Sequence, residues 1–339
     1  MQKTRYSTFA AASVIYIAFA VYLYRPYFEN FQRFQFLLVA NLFLASMGGY
    51  LLSRRWVSGF IESFLAGALY GFGPFTLSLA KYHPTAGLLA ASIPWLFLPA
   101  AFSPKNRRRW LSITLATLPF LAIIFFFQVT THFRLFAVST QAGVNFSELY
   151  SLLAPLVAAK RGTALIGFYH VPVAALIMGL AMLIAARRFS IMTILAVSVI
   201  LTFCYPVNSI LEVSPIIWLT IDTLCCAIII AVGLQGFVSA GYADRRWILA
   251  IAVVMAILAI VTLLLATKYF QIFLGLGSGY ARLFTKAAKM YILGTVVVAV
   301  IFFLSCWKSR MHRPREIILL AAILPDVFLG ATYIVDTIF

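Results

Sequence analysis

Long apolar runs constrain this chain more than any other feature. Runs of about 20 residues rich in Leu, Ile, Val, Ala and Phe recur along the whole sequence, and short segments between them carry most of the charges. With 63% hydrophobic residues, 10% charged residues and a mean hydropathy of +1.00, a soluble globule could not cover this much apolar surface. In a bilayer, such a run forms a helix that satisfies its own backbone. The sequence therefore predicts an integral membrane protein.

The fold class follows from the number of these runs. We predict an all-α, polytopic transmembrane helix bundle of about eleven spans that forms a single integral membrane domain over residues 1–339. The runs lack the strict alternation expected of barrel strands. The first run has no small-residue cleavage site after it, so we expect it to be retained. The predicted spans are 8–24, 34–52, 57–80, 85–103, 110–133, 163–186, 189–207, 215–240, 247–267, 288–307 and 317–336.

The distribution of Lys and Arg predicts the orientation, because cytoplasmic loops of membrane proteins are enriched in both. With the N-terminus inside, sixteen of the 26 cations fall in six mostly short inner segments, which leaves ten for the outer segments. We therefore predict the N-terminus inside and the C-terminus outside. The sixteen are Lys3, Arg5, Arg54, Arg55, Lys105, Arg107, Arg108, Arg109, Arg187, Arg188, Arg245, Arg246, Lys308, Arg310, Arg313 and Arg315.

An Arg-Arg-Trp triplet recurs at 54–56, 108–110 and 245–247, each time before a span that would head outward. Two copies belong to longer similar segments, 49–56 and 241–247, which lie six spans apart. The segment 241–246, Gly-Tyr-Ala-Asp-Arg-Arg, is distantly similar to the cytoplasmic loop motif of the major facilitator transporters, whose halves repeat every six spans. The third copy of the triplet favours the simpler interpretation, a cation and an indole that anchor the chain at one membrane interface.

Charged residues inside the predicted spans are the first candidates for function, because an ionisable group near the bilayer centre costs at least about 2.5–3.5 kcal/mol. Asp326 follows Pro325 in the last span, and His170 precedes Val171 and Pro172 in the outer half of the sixth. Proline frees a backbone carbonyl, which can join a nearby side chain in binding an ion or a polar ligand.

Two carboxylates complete this set of candidates. Asp222 lies in the outer half of the eighth span, and Glu62 lies about two turns inside the inner end of the third, near enough to the interface for its side chain to reach water. The alternative role for all four residues is structural, as hydrogen-bonding links between helices.

The stretch 70–87, YGFGPFTLSLAKYHPTAG, interrupts the third span with Gly71, Gly73 and Pro74 and ends in a short outer turn. A kink with close helix packing is the simpler interpretation, and a break that faces a cavity is the other. Because the turn would lie beside the outer halves of the sixth and eighth spans, we include Lys81 and His83 among the candidate ligand-binding or ion-binding residues.

Two outer loops, 134–162 and 268–287, are long enough to contain interfacial or re-entrant segments. In the second loop, a helix that starts near Ser278 would place Arg282, Lys286 and Lys289 on one face. Such a face suits an anionic lipid headgroup or phosphate, either as a specific ligand or as ordinary bilayer lipid.

The sequence contains no motif that implies a cofactor or a metal. The four cysteines all lie in apolar runs without metal-binding spacing, and we expect them to be packing residues. The cations are dispersed between apolar runs and form no basic domain, so we expect no nucleic acid partner. The expected partners are the lipid bilayer, its anionic headgroups and other membrane proteins. We expect the location to be the plasma (inner) membrane of a bacterium.

Three functions remain open. A transporter or permease for a small anionic or lipid-like solute accounts for the number of spans, the outer cations and the buried carboxylates near prolines. A transferase that acts on a lipid-linked phosphate at the outer face accounts for the basic outer loops, although few carboxylates lie there to act as a base. The third is a noncatalytic subunit of a membrane complex. No residue is assigned a catalytic role, and we favour a function other than catalysis.

Overall fold

A computed structural model describes residues 2–30, 35–79, 84–102, 109–132, 154–157, 170, 172–267, 279–306 and 311–338. These residues form helices and turns and contain no strand. Helices α1 to α6 are Gln2–Tyr24, Phe36–Ser53, Phe60–Gly71, Pro74–Leu79, Pro84–Phe102 and Arg109–His132. Helices α7 to α13 are Pro172–Ala185, Ser190–Phe203, Tyr205–Leu211, Leu219–Ser239, Arg245–Ala266, Gly279–Cys306 and His312–Ile338.

Several of these helices are suited to a membrane. Seven helical stretches are long and apolar enough to cross one, or up to eight if the bent pair α7–α8 counts as one span. Two shorter apolar helices are described over Gly87–Phe102 and Ile113–Val129. The predicted all-helical class is thus confirmed, whereas the count of about eleven spans stays a prediction.

Exposed apolar side chains agree with this environment. Along α11, residues Leu249, Val253, Ile257, Ile260 and Leu264 form an exposed stripe at helical spacing. An apolar surface of this extent is unfavourable in water and favourable against lipid acyl chains. The opposite face of α11 packs against α12.

The centre of the bundle is α10, whose residues are apolar on nearly every side. A helix of this composition is stable only when neighbours cover it all round. Helices α7, α3 and α8 supply most of that cover, and α13, α2, α5 and α4 also contact α10. Thr220, Asp222 and Thr223 of α10 are therefore buried inside the protein, whereas Ser239 at its end is exposed.

Small residues bring α7 and α10 into close contact. A Cβ atom added to Gly233 would overlap the Ala175 carbonyl, and one added to Gly179 would overlap the Ile229 carbonyl. Both obstacles are backbone atoms, which cannot move aside as a side chain would. Small residues four positions apart, such as Ala175 and Gly179, commonly permit this kind of approach in membrane helices.

The chain between α7 and α9 differs from two simple spans. Helices α7 and α8 have 14 residues each and meet at an angle of 119°. The seventh predicted span, 189–207, is interrupted at Cys204, after which α9 begins with Pro206 near its start. Because proline cannot donate to the preceding turn, a break at this point has a clear local cause.

Candidate functional site

Two of the residues selected from the sequence, His170 and Asp326, contact each other. His170 Nδ1 lies 3.3 Å from Asp326 Oδ1, slightly beyond the usual upper limit of about 3.2 Å for a neutral N–H···O bond. Their side chains are 2% and 3% exposed. Residues 156 positions apart in sequence thus form a buried acid–imidazole pair.

Prolines flank both members of the pair. Pro172 is the first residue of α7, a position that needs no backbone donor, and His170 lies in the turn immediately before it. Pro325 lies inside α13 and is exposed, whereas the next residue, Asp326, is buried. Proline lacks the N–H that would bond the carbonyl of Ala321, four residues earlier.

Tyr291 of α12 completes the wall of this site. Its ring packs edge-on against the His170 imidazole, with centroids 5.0 Å apart and planes at 88°. Tyr291 was not among the candidates predicted from the sequence, because residues inside the spans were selected for charge. Its helical periodicity gives a usable signal, since Phe284, Ala287 and Tyr291 lie on the buried face of α12.

The pair can hold a variable number of protons. A carboxylate only accepts hydrogen bonds, so a neutral His170 that binds Asp326 carries its hydrogen on Nδ1 and leaves Nε2 as an acceptor. No described group hydrogen-bonds Nε2, which is buried. Nε2 can therefore accept a proton, after which the imidazolium remains adjacent to the Asp326 carboxylate. This exchange is the chemistry of a proton relay.

Asp222 lies elsewhere, in the first turn of α10, and is 7% exposed. Neither carboxylate oxygen has a hydrogen-bond partner within the described part of the chain. Ser198 of α8 lies beside it, but the Ser198 hydroxyl donates to the Trp218 carbonyl at 2.7 Å. No hydrogen bond or ion pair between described residues joins Asp222 to the His170–Asp326 pair.

A small cavity lies between α1, α3 and α13. It has a volume of about 20 Å³ and is lined by apolar side chains, including Phe19, Phe72 and Phe328. The volume is close to that needed for one water molecule, but the lining offers no polar partner. None of His170, Asp222 and Asp326 lines this cavity.

The interruption of the third predicted span is a packed kink between α3 and α4. Pro74 cannot donate to the Tyr70 carbonyl, and the Thr76 hydroxyl replaces that donor at 2.7 Å. A Cβ at Gly71 would overlap Ser46 of α2. All residues from Tyr70 to Leu79 are buried, so the described stretch favours the kink over a break that faces a cavity. Lys81 and His83 lie outside the described residues.

Glu62 differs from its expected position near water. Its side chain is buried in the first turn of α3, and within the described chain its Oε2 has no hydrogen-bond partner. Arg54 lies close enough to interact electrostatically, but its guanidinium donates to the Ser58 and Gly59 carbonyls. Packing of α3 against α2 and α10 explains the burial, which hydropathy could not reveal.

The predicted basic face at the start of α12 is exposed. Arg282, Lys286 and Lys289 all point outward, and the helix begins at Gly279. The opposite face packs on Ala154 and Val157, part of the apolar segment in loop 134–162. Residues 279–287 of the second outer loop are thus the first turns of α12, continuous with the tenth predicted span.

Arg315 is a buried cation with several hydrogen bonds that its sequence position did not indicate. Its guanidinium donates to the carbonyls of Ala240 (2.6 Å), Val238 (3.2 Å) and Leu304 (3.0 Å). The first two belong to the end of α10, where helical carbonyls lack intrahelical donors and the helix dipole is negative. Arg315 therefore caps the central helix, whereas its sequence position had indicated only an inner-loop charge.

No cluster of three or more His, Cys, Asp or Glu side chains that could hold a metal ion occurs among the described residues. The four cysteines are free thiols. Cys225 and Cys226 lie on α10, one turn beyond Asp222.

Comparison with known proteins adds no assignment. No family model, curated protein or solved structure matches the chain. The geometry of the described residues therefore carries the functional proposal.

Proposed function

We propose that this chain is a multi-pass integral membrane transporter for a small anionic or lipid-like solute, with the His170–Asp326 pair as its proton-coupling centre. The proposal rests on a buried acid–imidazole pair whose carboxylate lies near the middle of a long apolar helix. Asp326 is the fifteenth of the 27 residues in α13. At about 1.5 Å per residue, it lies roughly 20 Å from either end of the helix.

Burial of this pair has an energetic cost that a function would explain. Neutral groups are sufficient for a structural link between membrane helices. A hydrogen bond between such helices contributes on average about 0.6 kcal/mol to stability. Ionisable groups at this depth commonly lie on ion pathways or proton relays. The open Nε2 of His170 provides a position where a proton can enter or leave.

Contacts between helix ends support an eleven-span arrangement. Each predicted span overlaps at least one described helix. Tyr27 donates to Asp336 at 2.6 Å, and both lie at ends predicted to be outside. His312 contacts the Val238 carbonyl at 3.0 Å, and both lie at ends predicted to be inside. Gln235 and Ser58, also predicted inside, are joined at 3.0 Å.

The orientation has a direct test. We expect a reporter fused after Arg109 or Arg246 to be cytoplasmic and one fused at the C-terminus to be external, because the inner segments carry the excess of cations. Enzymatic reporters active on one side only would measure this. Opposite labelling at all three positions would contradict the orientation, and disagreement at the C-terminus alone would mean that one span is miscounted.

Transport itself is tested with the purified protein in lipid vesicles. A pH-sensitive dye inside the vesicles would report proton movement while inorganic phosphate and small mono- and dicarboxylates are added in turn. A fluorescent phospholipid would test a lipid-like solute. We expect proton movement that depends on one class of solute and is absent from vesicles without protein. A folded protein that moves no proton and no tested solute would favour the noncatalytic subunit.

We further propose that the exposed face formed by Arg282, Lys286 and Lys289 attracts an anionic headgroup or solute. Each cation near an anionic surface contributes about 1 kcal/mol, so replacing all three by Gln is expected to weaken that binding by roughly 100-fold. The vesicle assay should then lose most of its activity while the amount of inserted protein is unchanged.

A matched control removes three exposed cations from the predicted inner side: Arg55, Arg246 and Arg313 replaced by Gln. Equal activities of the two triple variants would show that the α12 face has only general contact with lipid. The same face would also suit a transferase that acts on a lipid-linked phosphate. However, Asp336, one of the few carboxylates near it, already accepts the Tyr27 hydroxyl.

A further inference from the structure

Asp222 is a buried carboxyl group that the proposed transport centre does not use. Asp222 lies on α10, and Ser198 of the neighbouring helix α8 lies beside it. An ionised carboxylate has two oxygens that accept hydrogen bonds and none that donate, so in a buried site it requires donors. The donors near Asp222 therefore decide which protonation state the site suits.

The hydroxyl groups on the adjoining turns are committed to backbone carbonyls. Ser198 donates to Trp218 at 2.7 Å, and Thr202 donates to Ser198 at 3.0 Å. Thr220 and Thr223 donate to the carbonyls three residues before them, at 2.7 and 3.1 Å. The site therefore has hydroxyl protons nearby, but each is already used.

The Asn208 amide and the Trp218 indole also donate their hydrogen bonds to other groups. Asn208 Nδ2 donates to the Leu201 carbonyl at 2.7 Å, and Trp218 Nε1 donates to Asn208 Oδ1 at 2.8 Å. Together with Ser198, these bonds fix α8, α9 and the turn before α10 to one another.

Charged groups among the described residues do not replace the hydrogen-bond donors that an ionised Asp222 would need. Helices α7 and α8 contain no titratable residue in their described lengths. Within the described chain, Cys225 and Cys226 on the same helix are the titratable groups that interact electrostatically with Asp222. Of the other helices packed on α10, α3 contributes Tyr70 beside Cys225, and Asp326 of α13 is paired with His170. No described cation forms an ion pair with Asp222.

We propose that Asp222 is a second proton-binding site, separate from the His170–Asp326 pair, and that its protonated carboxyl donates to Ser198 Oγ. Ser198 can accept this bond while it donates to Trp218, because a hydroxyl oxygen has one hydrogen and two lone pairs. Loss of the Asp222 proton would leave a carboxylate that needs a donor. Ser198 would then turn its hydrogen from Trp218 to Asp222, which breaks a contact between α8 and the turn that leads into α10.

Infrared spectroscopy of the whole protein in lipid at neutral pH tests this proposal without an activity assay. The spectrum of the wild type minus that of Asp222→Asn should contain a protonated-carboxyl C=O band equivalent to one group. In Ser198→Ala, the band should remain but shift in frequency, because its hydrogen-bond acceptor is gone. Asp326→Asn should leave this band in place.

The same infrared spectra would also reveal a result that contradicts the proposal. If Asp222→Asn removes carboxylate absorption and no protonated-carboxyl band, Asp222 is ionised and the proposal is wrong. If Asp222→Asn does not fold, comparison of Ser198→Ala with the wild type decides: a shifted protonated-carboxyl band supports the proposal, and an unchanged spectrum in that region overturns it. Because both readouts concern proton occupancy, they are independent of whether the protein transports a solute.

Discussion

Replacement of Asp326 by Asn is expected to reduce proton-coupled transport to the background of protein-free vesicles while the protein remains folded. Asn retains the size of Asp and can still accept a hydrogen bond from His170 Nδ1, but it cannot balance an imidazolium or exchange a proton. A hydrogen bond between membrane helices is worth about 0.6 kcal/mol, so the unfolding midpoint should barely change. Dye-reported proton flux and thermal unfolding in detergent would measure the two effects.

Asp336→Asn is the matched control, because it makes the same chemical change at an exposed carboxylate near the end of α13. We expect its flux to equal that of the wild type. His170→Gln should lose flux as Asp326→Asn does, and the double variant should be no worse than either single one, since both residues serve one relay. A stable Asp326→Asn protein with full flux across the accessible pH range would exclude Asp326 as the coupling group and would favour the noncatalytic subunit.

Replacement of Arg315 by Met is expected to produce the largest loss of stability, about 3 kcal/mol or more. Each buried carbonyl left without its donor costs about 1–3 kcal/mol, and Arg315 serves carbonyls at the end of α10 and in α12. Met keeps much of the side-chain volume, so the effect reports lost hydrogen bonds and charge more than a cavity. A lower thermal midpoint in detergent and lower abundance in the membrane would check it.

Arg313→Met provides the control, since Arg313 lies on the same turn but is exposed. A surface change of this kind usually alters stability by less than about 0.5 kcal/mol. Arg315→Lys should be intermediate, because an ammonium group keeps the charge but lacks the planar fork of donors. Equal midpoints for Arg315→Met and Arg313→Met would show that α10 does not depend on this cap.

Periodicity and hydropathy were sufficient for the helices and for part of the site. The apolar runs overlap described helices, and Asp326, His170 and Asp222, which were selected for the cost of a buried charge, have buried side chains. Their role in binding a ligand or an ion stays a prediction. The burial of Glu62 and Arg315 was not anticipated, because the position of a residue along one span does not show what neighbouring helices cover. Tyr291 was missed because selection by charge passes over a neutral side chain, although its position on the buried face of α12 could have indicated it.

By itself, the sequence determined that this chain is a set of apolar helices suited to a membrane, because each long apolar run must satisfy its backbone internally. It also marked the positions where proline or charge interrupts those helices. Only the tertiary structure decided which residues at these interrupted positions contact each other. His170 and Asp326 are 156 residues apart and meet where the turn before α7 contacts α12 and α13. Asp222, on the better-covered α10, has no such partner within the described chain. Hydropathy records the cost of moving each residue from water, whereas pairing depends on which helix faces come together.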